Sequence, residues 1–260
     1  MTSVPFDRAV SYYDQTRDLP DEIARAGIQA LLDQLQAHRY ARLLEVGAGT
    51  GRISIPLLER GAPLIGVDLS RAMLQRQHAK YAAARLAQAD AVDLPFANRF
   101  FDGLVTIHVL HLVGAWRAAL REFARVLKPG GVYINSWNWH SPGDIDARVR
   151  DYWRSRVEAL GGDWRRPGIQ SREELLGEVR DMGATVNELT VVRFFPQITA
   201  AEVVEGISQR IFSDTWNVPD DLFAASVSDM RAWAKATLGD LHRPQLVERR
   251  FLLDVVRFRN

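Results

Sequence analysis

Hydrophobic and polar positions along this chain follow two rhythms. Short apolar runs recur at 43–46 (Leu43, Leu44, Val46), 63–68, 85–89, 101–109 and 132–137, and each reads as a buried strand. Between them apolar residues fall at helical spacing. Ile53, Ile55, Leu57 and Leu58 mark a helix over 52–60, and a second over 117–127 stops at Lys128-Pro129-Gly130-Gly131. Ser70 is placed to N-cap the helix that follows the second strand. Strands alternating with helices predict an α/β fold around a largely parallel sheet.

The flanks complete this frame. Ile23, Ile28, Leu31, Leu32 and Leu35 give 21–38 a broad apolar face, so 1–40 is expected as helical cover. Ser171 and Glu174 form a capping-box pattern for a helix ending near Met182-Gly183, ahead of a strand at 185–194. A final strand is expected at 251–258. The reading is one domain over 1–260, with a core at about 41–138 whose sheet is completed by 171–194 and 251–258. Two long insertions remain, 139–170 and 196–250, the second with room for two or three helices. Ordered loops longer than about 12–15 residues are usually functional, so both are expected to be helical lids.

The stretch from Leu43 to Ser54 carries the chemistry. Its first strand stops at Gly47, Gly49 and Gly51, which let the chain turn sharply and leave the main chain open to a ligand. The following helix points its N-terminus at that loop. The spacing is G-x-G-x-G, with Arg52 where a dinucleotide fingerprint has its third glycine, and no Gly-Lys-Ser/Thr follows, which excludes a P-loop. Glu45 precedes the glycines, and an acid there disfavours a pyrophosphate and favours a cationic ligand. Asp68 ends the second strand, where a carboxylate can accept hydrogen bonds from ribose hydroxyls.

Composition narrows the class. The 260 residues are 47% hydrophobic and 25% charged, ordinary for a globular chain with a substantial core. With 33 basic and 32 acidic residues the net charge is +1, which gives no electrostatic case for nucleic acid. Arg148-Val149-Arg150 and Arg165-Arg166 are expected to be solvated faces. There are no cysteines, so disulfides and thiolate zinc sites are impossible. No apolar run of 18 residues exists, so membrane insertion is not expected and a cytoplasmic protein is the default reading.

LLEVGAGTGR, GVDLS with Met73, QADAVDLPF, FFDGLVTIHVLHLV and LREFARVLKPGGVYI stand in order over residues 42–136. In these motifs the chain resembles class I S-adenosylmethionine (SAM)-dependent methyltransferases, most closely the small-molecule branch with the ubiquinone and menaquinone biosynthesis enzymes. The resemblance implies a Rossmann-like, seven-stranded, mostly parallel sheet with helices on both faces and its last strand antiparallel at the edge. It also implies SAM as cofactor. Gly47, Ala48, Gly49 and Gly51, after Glu45, would wrap the methionine portion, Asp68 would grip the ribose and Asp90 would receive the adenine amino group. Ala91 would offer its amide to the ring, with Leu69, Met73 and Ile107 as apolar lining. Tyr12 and Arg17 resemble the segment that closes over SAM and are candidates for its carboxylate, against the alternative that they only pack or face solvent.

The acceptor is less defined. Six of seven tryptophans, Trp137, Trp139, Trp153, Trp164, Trp216 and Trp233, lie at or beyond the end of the fifth strand. They suit a flat, apolar or aromatic small molecule, or else a second small core. Methyl transfer from a sulfonium is an in-line displacement, so alignment supplies most of the rate and a base is needed only for a protonated acceptor. His108 and His111, after the fourth strand, are the candidates for a general base or for positioning the acceptor, with His140 after the fifth. The fourth strand lacks the Asn/Asp-Pro-Pro-aromatic run of enzymes that methylate DNA bases or glutamine, and no metal-ligand cluster follows it. Two rival readings remain: a SAM-binding protein without transfer activity, and an NAD(P)-dependent oxidoreductase. The second lacks the third loop glycine and any Tyr-x-x-x-Lys pair. Oligomeric state is open.

Overall fold

The computed structural model describes Asp7, residues 20–36 and residues 41–259. Its elements run, in chain order, α1 (Asp21–Gln34), β1 (Leu43–Val46), α2 (Ser54–Glu59), β2 (Leu64–Asp68), α3 (Arg71–Lys80), β3 (Arg85–Gln88), β4 (Phe101–Thr106) and α4 (Trp116–Val126). There follow β5 (Leu127–His140), α5 (Ile145–Ala159), α6 (Arg172–Asp181), β6 (Thr185–Phe194), β7 (Gln197–Ile198), α7 (Ala200–Ser208), α8 (Asp220–Thr237), β8 (Gln245–Leu246) and β9 (Arg249–Arg257). The chain divides into two compact units. One comprises Met1–Trp137, Pro167–Val192 and Phe251–Asn260, the other Asn138–Arg166 and Arg193–Arg250.

The first unit is built on a seven-stranded sheet of order β3-β2-β1-β4-β5-β9-β6. β1 pairs in parallel with β2 on one side and β4 on the other, from Leu43 opposite both Leu64 and Gly103. Here the strand order reverses, and ligands of open α/β sheets bind outside the carboxyl ends of the strands at such a point. β1 is buried along its whole length, as a central parallel strand covered on both faces must be. Leu44, Val46, Leu104 and Tyr133 face one core with Leu120 and Phe123 of α4 and Val179 of α6. Leu43, Val105 and Ile134 face the other, with Leu31 of α1 and Leu57 of α2.

Three boundaries depart from the sequence pattern. β4 ends at Thr106 rather than continuing to Val109, because His108 takes a left-handed conformation (φ 57°) that a strand cannot contain. The Lys-Pro-Gly-Gly segment lies inside β5. Phe101 pairs with Leu127 and Gly103 with Val132, so residues 128–131 bulge opposite Asp102, with Gly130 at φ 78°. β9 is antiparallel but does not lie at the edge: it sits between β5 and β6, and β6 is the edge strand. The unbroken burial from Phe251 to Val256, apolar except for Asp254, is that of an interior strand.

The second unit has its own core. Ile145, Val149, Trp153 and Val157, every fourth residue along α5, pack with Val203 and Ile207 of α7 and with Phe223, Val227, Met230 and Ala234 of α8. Asp144 caps α5, accepting from the Ala147 amide at 2.9 Å. Thr199 and Glu202 form a full capping box on α7, the Glu202 carboxylate accepting from the Thr199 amide at 2.7 Å. At α6 the expected box is shifted: Ser171 accepts from the Glu174 amide, while the Glu174 carboxylate accepts from the Gln170 amide. No described helix is long and apolar enough to cross a membrane.

Candidate active site

The carboxyl ends of β1, β2 and β4 and the loop after β3 bring the expected cofactor residues together. Gly47 and Ala48 donate their amides to the Val67 carbonyl at 2.8 and 2.9 Å, fixing the loop to β2. Gly47 has φ 78°, and a Cβ there would lie 2.2 Å from Val109 Cγ2, so this glycine is what lets the turn after β4 pack onto the loop. Gly51 (φ 90°) is equally enclosed, with Ile55 Cδ1 and Gln77 Cγ at 2.7 and 2.8 Å from a built Cβ. Gly49 is different: apart from its chain neighbours, nothing among the described residues lies nearer than 4.0 Å to a Cβ at its position, so among them its surface is open to a ligand.

Asp68 ties the loop to the second strand. Its carboxylate accepts from the Gly49 amide and from the Ser70 amide, each at 2.8 Å. An ionised carboxylate offers about four acceptor directions, so Asp68 keeps acceptor capacity for a hydroxyl beyond the backbone amides that it holds. Burial raises the Asp68 pKa, the amides of Ser70, Gly49 and Leu69 hold it back, and the nearby Asp7 carboxylate raises it further. Asp7 itself hydrogen bonds the Ser70 hydroxyl, and that hydroxyl caps α3 by accepting from the Met73 amide at 3.1 Å. The Ala89 amide donates to the Asp68 carbonyl at 3.1 Å, which sets Asp90 and Ala91 next to the same strand end.

Glu45 is only 1% exposed and accepts a hydrogen bond from the Ser54 hydroxyl of α2. Burial, only partly opposed by Ser54 and Arg52, pushes its pKa up to about 8. Below that pH Glu45 is a neutral acid. Met73 and Ile107 are 1% and 6% exposed and serve as core, whereas Leu69 is partly exposed and its carbonyl accepts from Gln88 Nε2. Tyr12 and Arg17 lie outside the described residues.

His108 and His111 both fall in the turn after β4, partly exposed. His108 holds its left-handed conformation there, backbone strain of the kind that clusters at functional sites. The His111 carbonyl accepts from the Gly168 amide at 3.0 Å and the Leu110 carbonyl from Ile169 at 3.2 Å. Residues 168–169 therefore strap the turn, and Gly168 must be glycine because a Cβ would lie 2.0 Å from the Leu110 carbonyl oxygen. Thr106, at the end of β4, is buried, and Arg172 of α6 is partly buried. Thr106 bonds the Tyr133 hydroxyl at 2.9 Å and Asn135 at 3.1 Å, and Arg172 pairs with the fully buried Asp254.

Sequence reasoning missed Ser54, Gly66, Gln77 and Gly168. Gly66 had a readable signal, since a glycine inside a strand marks close approach. A Cβ there would meet Ala48 Cβ at 2.9 Å. Three of the six tryptophans resolve toward the second of their two readings. Trp153, Trp164 and Trp233 belong to the core of the second unit, Trp233 stacked on Tyr152 at 4.2 Å. Arg150 and Arg166 are not solvated as expected, whereas Arg148 and Arg165 are exposed.

Residues 44–135 match the methyltransferase-domain family. Malonyl-(acyl-carrier protein) O-methyltransferase of Enterobacter lignolyticus is 34% identical over 127 residues, 49% of this chain and 49% of that protein. Demethylmenaquinone methyltransferase of Clavibacter sepedonicus is 34% identical over 136 residues, 50% of this chain and 54% of that protein. The chain thus spans about half the length of the curated relatives it matches. The solved structure of the YcgJ protein of Bacillus subtilis shares the fold, with a TM-score of 0.61 at 18% identity over 90% of this chain and 99% of that one.

Proposed function

We propose, starting from the methyltransferase domain that residues 44–135 form, that this chain transfers the methyl group of SAM to a small-molecule acceptor. The observation that carries the reading is the join at the switch point of the sheet. Gly49, open on its ligand side, donates to Asp68, and the turn bearing His108 and His111 packs onto Gly47 through Val109. These residues fit the donor. Asp68 keeps acceptor capacity for a ribose hydroxyl, and the loop from Gly47 to Gly51 admits main-chain approach by the methionine portion. Asp90 and Ala91 stand beside Asp68 for the adenine.

SAM, when bound, supplies an activated methyl on a sulfonium, which an acceptor oxygen, nitrogen, carbon or sulfur can displace. The protein's part is alignment, which can contribute about 7–11 kcal/mol. Asp68 and the glycine loop fix the donor end. To His111, strapped through its carbonyl, and His108, strained just after β4, we assign orientation of the acceptor or removal of its proton. An apolar or aromatic acceptor body is supported now by Trp137, partly exposed near the end of β5, since three of the other tryptophans are used in packing.

Thermal unfolding with SAM, its demethylated product, or NADH tests the reading. A ligand at 100 times its dissociation constant stabilises by about 2.7 kcal/mol, which raises the midpoint of a chain this size by roughly 5–10 °C. A shift with SAM and its product but not NADH is expected. A shift with NADH alone refutes the reading. SAM binding with no transfer to any small-molecule acceptor leaves a binding protein.

A further inference from the structure

Asp254 puts a carboxylate into a strand that is otherwise hydrocarbon around it. It lies in β9 between Leu253 and Val255, is fully buried, and falls on the face of the strand that carries Val256 and Phe258. Arg172, the first residue of α6, reaches it with two donors: Nε bonds Oδ1 at 2.9 Å, and Nη2 bonds the same oxygen. The other oxygen, Oδ2, is shut off from solvent and receives no hydrogen bond among the described residues. As a source of stability this is a poor arrangement. A buried ion pair can often be replaced by apolar residues without loss, and an orphaned acceptor adds a further cost. Glu188, the second partner of Arg172 at 2.7 Å, is half exposed and contributes little.

What the ion pair supplies is direction, and the direction leads to the histidine turn. The Gly168 and Ile169 amides donate to the His111 and Leu110 carbonyls, which ties the segment to the turn. The Gln170 amide donates to the Glu174 carboxylate at 3.2 Å, its carboxamide donates to the Gly168 carbonyl, and the Ser171 hydroxyl accepts from the Glu174 amide at 3.3 Å. These bonds shape the segment internally. The bond from Arg172 to Asp254 then ties it to the sheet. Asp254 also acts at the start of the turn. Burial raises the pKa of Tyr133 on β5, the Thr106 hydrogen bond opposes this, and the Asp254 carboxylate raises it further. The Tyr133 hydroxyl therefore keeps its proton. Since Thr106 Oγ1 donates to Asn135 Oδ1 at 3.1 Å, Tyr133 donates to Thr106 at 2.9 Å. Thr106 is the last residue of β4, just ahead of His108.

We propose that Arg172 and Asp254 are positioning residues, whose ion pair anchors the strap at 168–171 to the sheet and so holds the turn that carries His108 and His111. Two hydrogen bonds from one planar guanidinium fix its orientation as well as its distance, which two apolar side chains in the same space would not do. The proposal rests on the methyl-transfer reading for what the histidines do, and on the first unit alone for how they are held.

The test compares the whole protein with a double variant, Arg172→Met with Asp254→Leu, in which both charges go together and neither is left buried alone. Amide hydrogen exchange, read by NMR, sets Gly168 and Ile169 against Ala184, whose amide bonds the Val179 carbonyl past the other end of α6. The strap amides are expected to exchange at least about 10-fold faster in the variant, while Ala184 keeps its rate. In protein isotope-labelled at histidine Cε1, the His108 and His111 resonances are assigned by their loss in His108→Gln and His111→Gln. Both are expected to shift or broaden in the double variant, while those of the exposed His78 and His242 stay in place. Asp254→Asn keeps the shape and an acceptor for Arg172, and is read in the same way if the double variant does not fold. Strap amides that exchange at the parent's rate overturn the proposal. So does equal acceleration at the strap and at Ala184, which would make the pair a source of stability only. Unmoved His108 and His111 resonances beside a loosened strap overturn it too. Neither SAM nor an acceptor enters these readings. The SAM-induced shift of the parent's unfolding midpoint is measured separately, and its absence refutes only the methyl-transfer reading.

Discussion

Glu45 and Asp68 end neighbouring strands and both have raised pKa values, but their surroundings differ. Asp68 receives backbone amides, and replacing it by Asn turns an amide group toward those donors. Asp68→Asn is expected to weaken SAM binding by about 10-fold or more, the value of a charged hydrogen bond, read by calorimetry. Glu45 has burial as its main influence, and its folded pKa of about 8 stands above the ordinary 4.5. The folded state therefore holds a proton the unfolded state has lost. Glu45's contribution to stability is fully present below pH 4.5 and disappears as pH rises toward 8, at up to about 1.4 kcal/mol per pH unit. Glu45→Gln mimics the neutral acid and should flatten that slope in denaturant unfolding; an unchanged slope would assign the proton elsewhere. From sequence, an acid beside a glycine loop looks like a charge. Only the structure shows Ser54 and the core closing over it.

At the level of elements, the glycine loop was legible because its signals are local: an apolar strand, spaced glycines, an acid at the next strand's end. Packing between distant segments was not. Nothing near Gly47 in the sequence points to Val109, yet their contact joins β1 to the turn after β4. Gly47→Ala combines a left-handed backbone with a 2.2 Å clash, and should cost about 2–4 kcal/mol in denaturant unfolding. Adding Val109→Ala should recover the packing part and leave the backbone part, so the two changes will be non-additive. Simple additivity would mean the loop moves away from the turn. β4 was read too long because Ile107 and Val109 continue its apolar pattern, while His108 turns the chain. α5 went unassigned despite Ile145, Val149, Trp153 and Val157, because Asp146, Arg150 and Arg154 lay a second, charged stripe beside them.

For the whole molecule, the shifted carboxylates set opposite limits on stability. Asp102, Glu122 and Asp146 have lowered pKa values, so the stability they bring is lost as pH falls below the ordinary carboxylate range. Exposure of the first two reduces their share. Glu45 and Asp68 act in the other direction, losing stability as pH rises. The unfolding midpoint is expected to peak near pH 5, at the acid end of the usual range, and a peak above pH 7 would contradict the assignment of Glu45. The fold class of the first unit could be read from strand and helix alternation. The second unit could not, because it is assembled from two separated stretches, with α5 of the first packing against α7 and α8 of the second. The position of β9 has a consequence for how the protein is made. On the ribosome, β6 emerges well before β9, yet it has no place in the sheet until β9 has been inserted against β5. Until residues 249–257 are synthesised, β5 offers an open edge and β6 waits as an unpaired strand, so the growing chain is at its most adhesive just before β9 emerges.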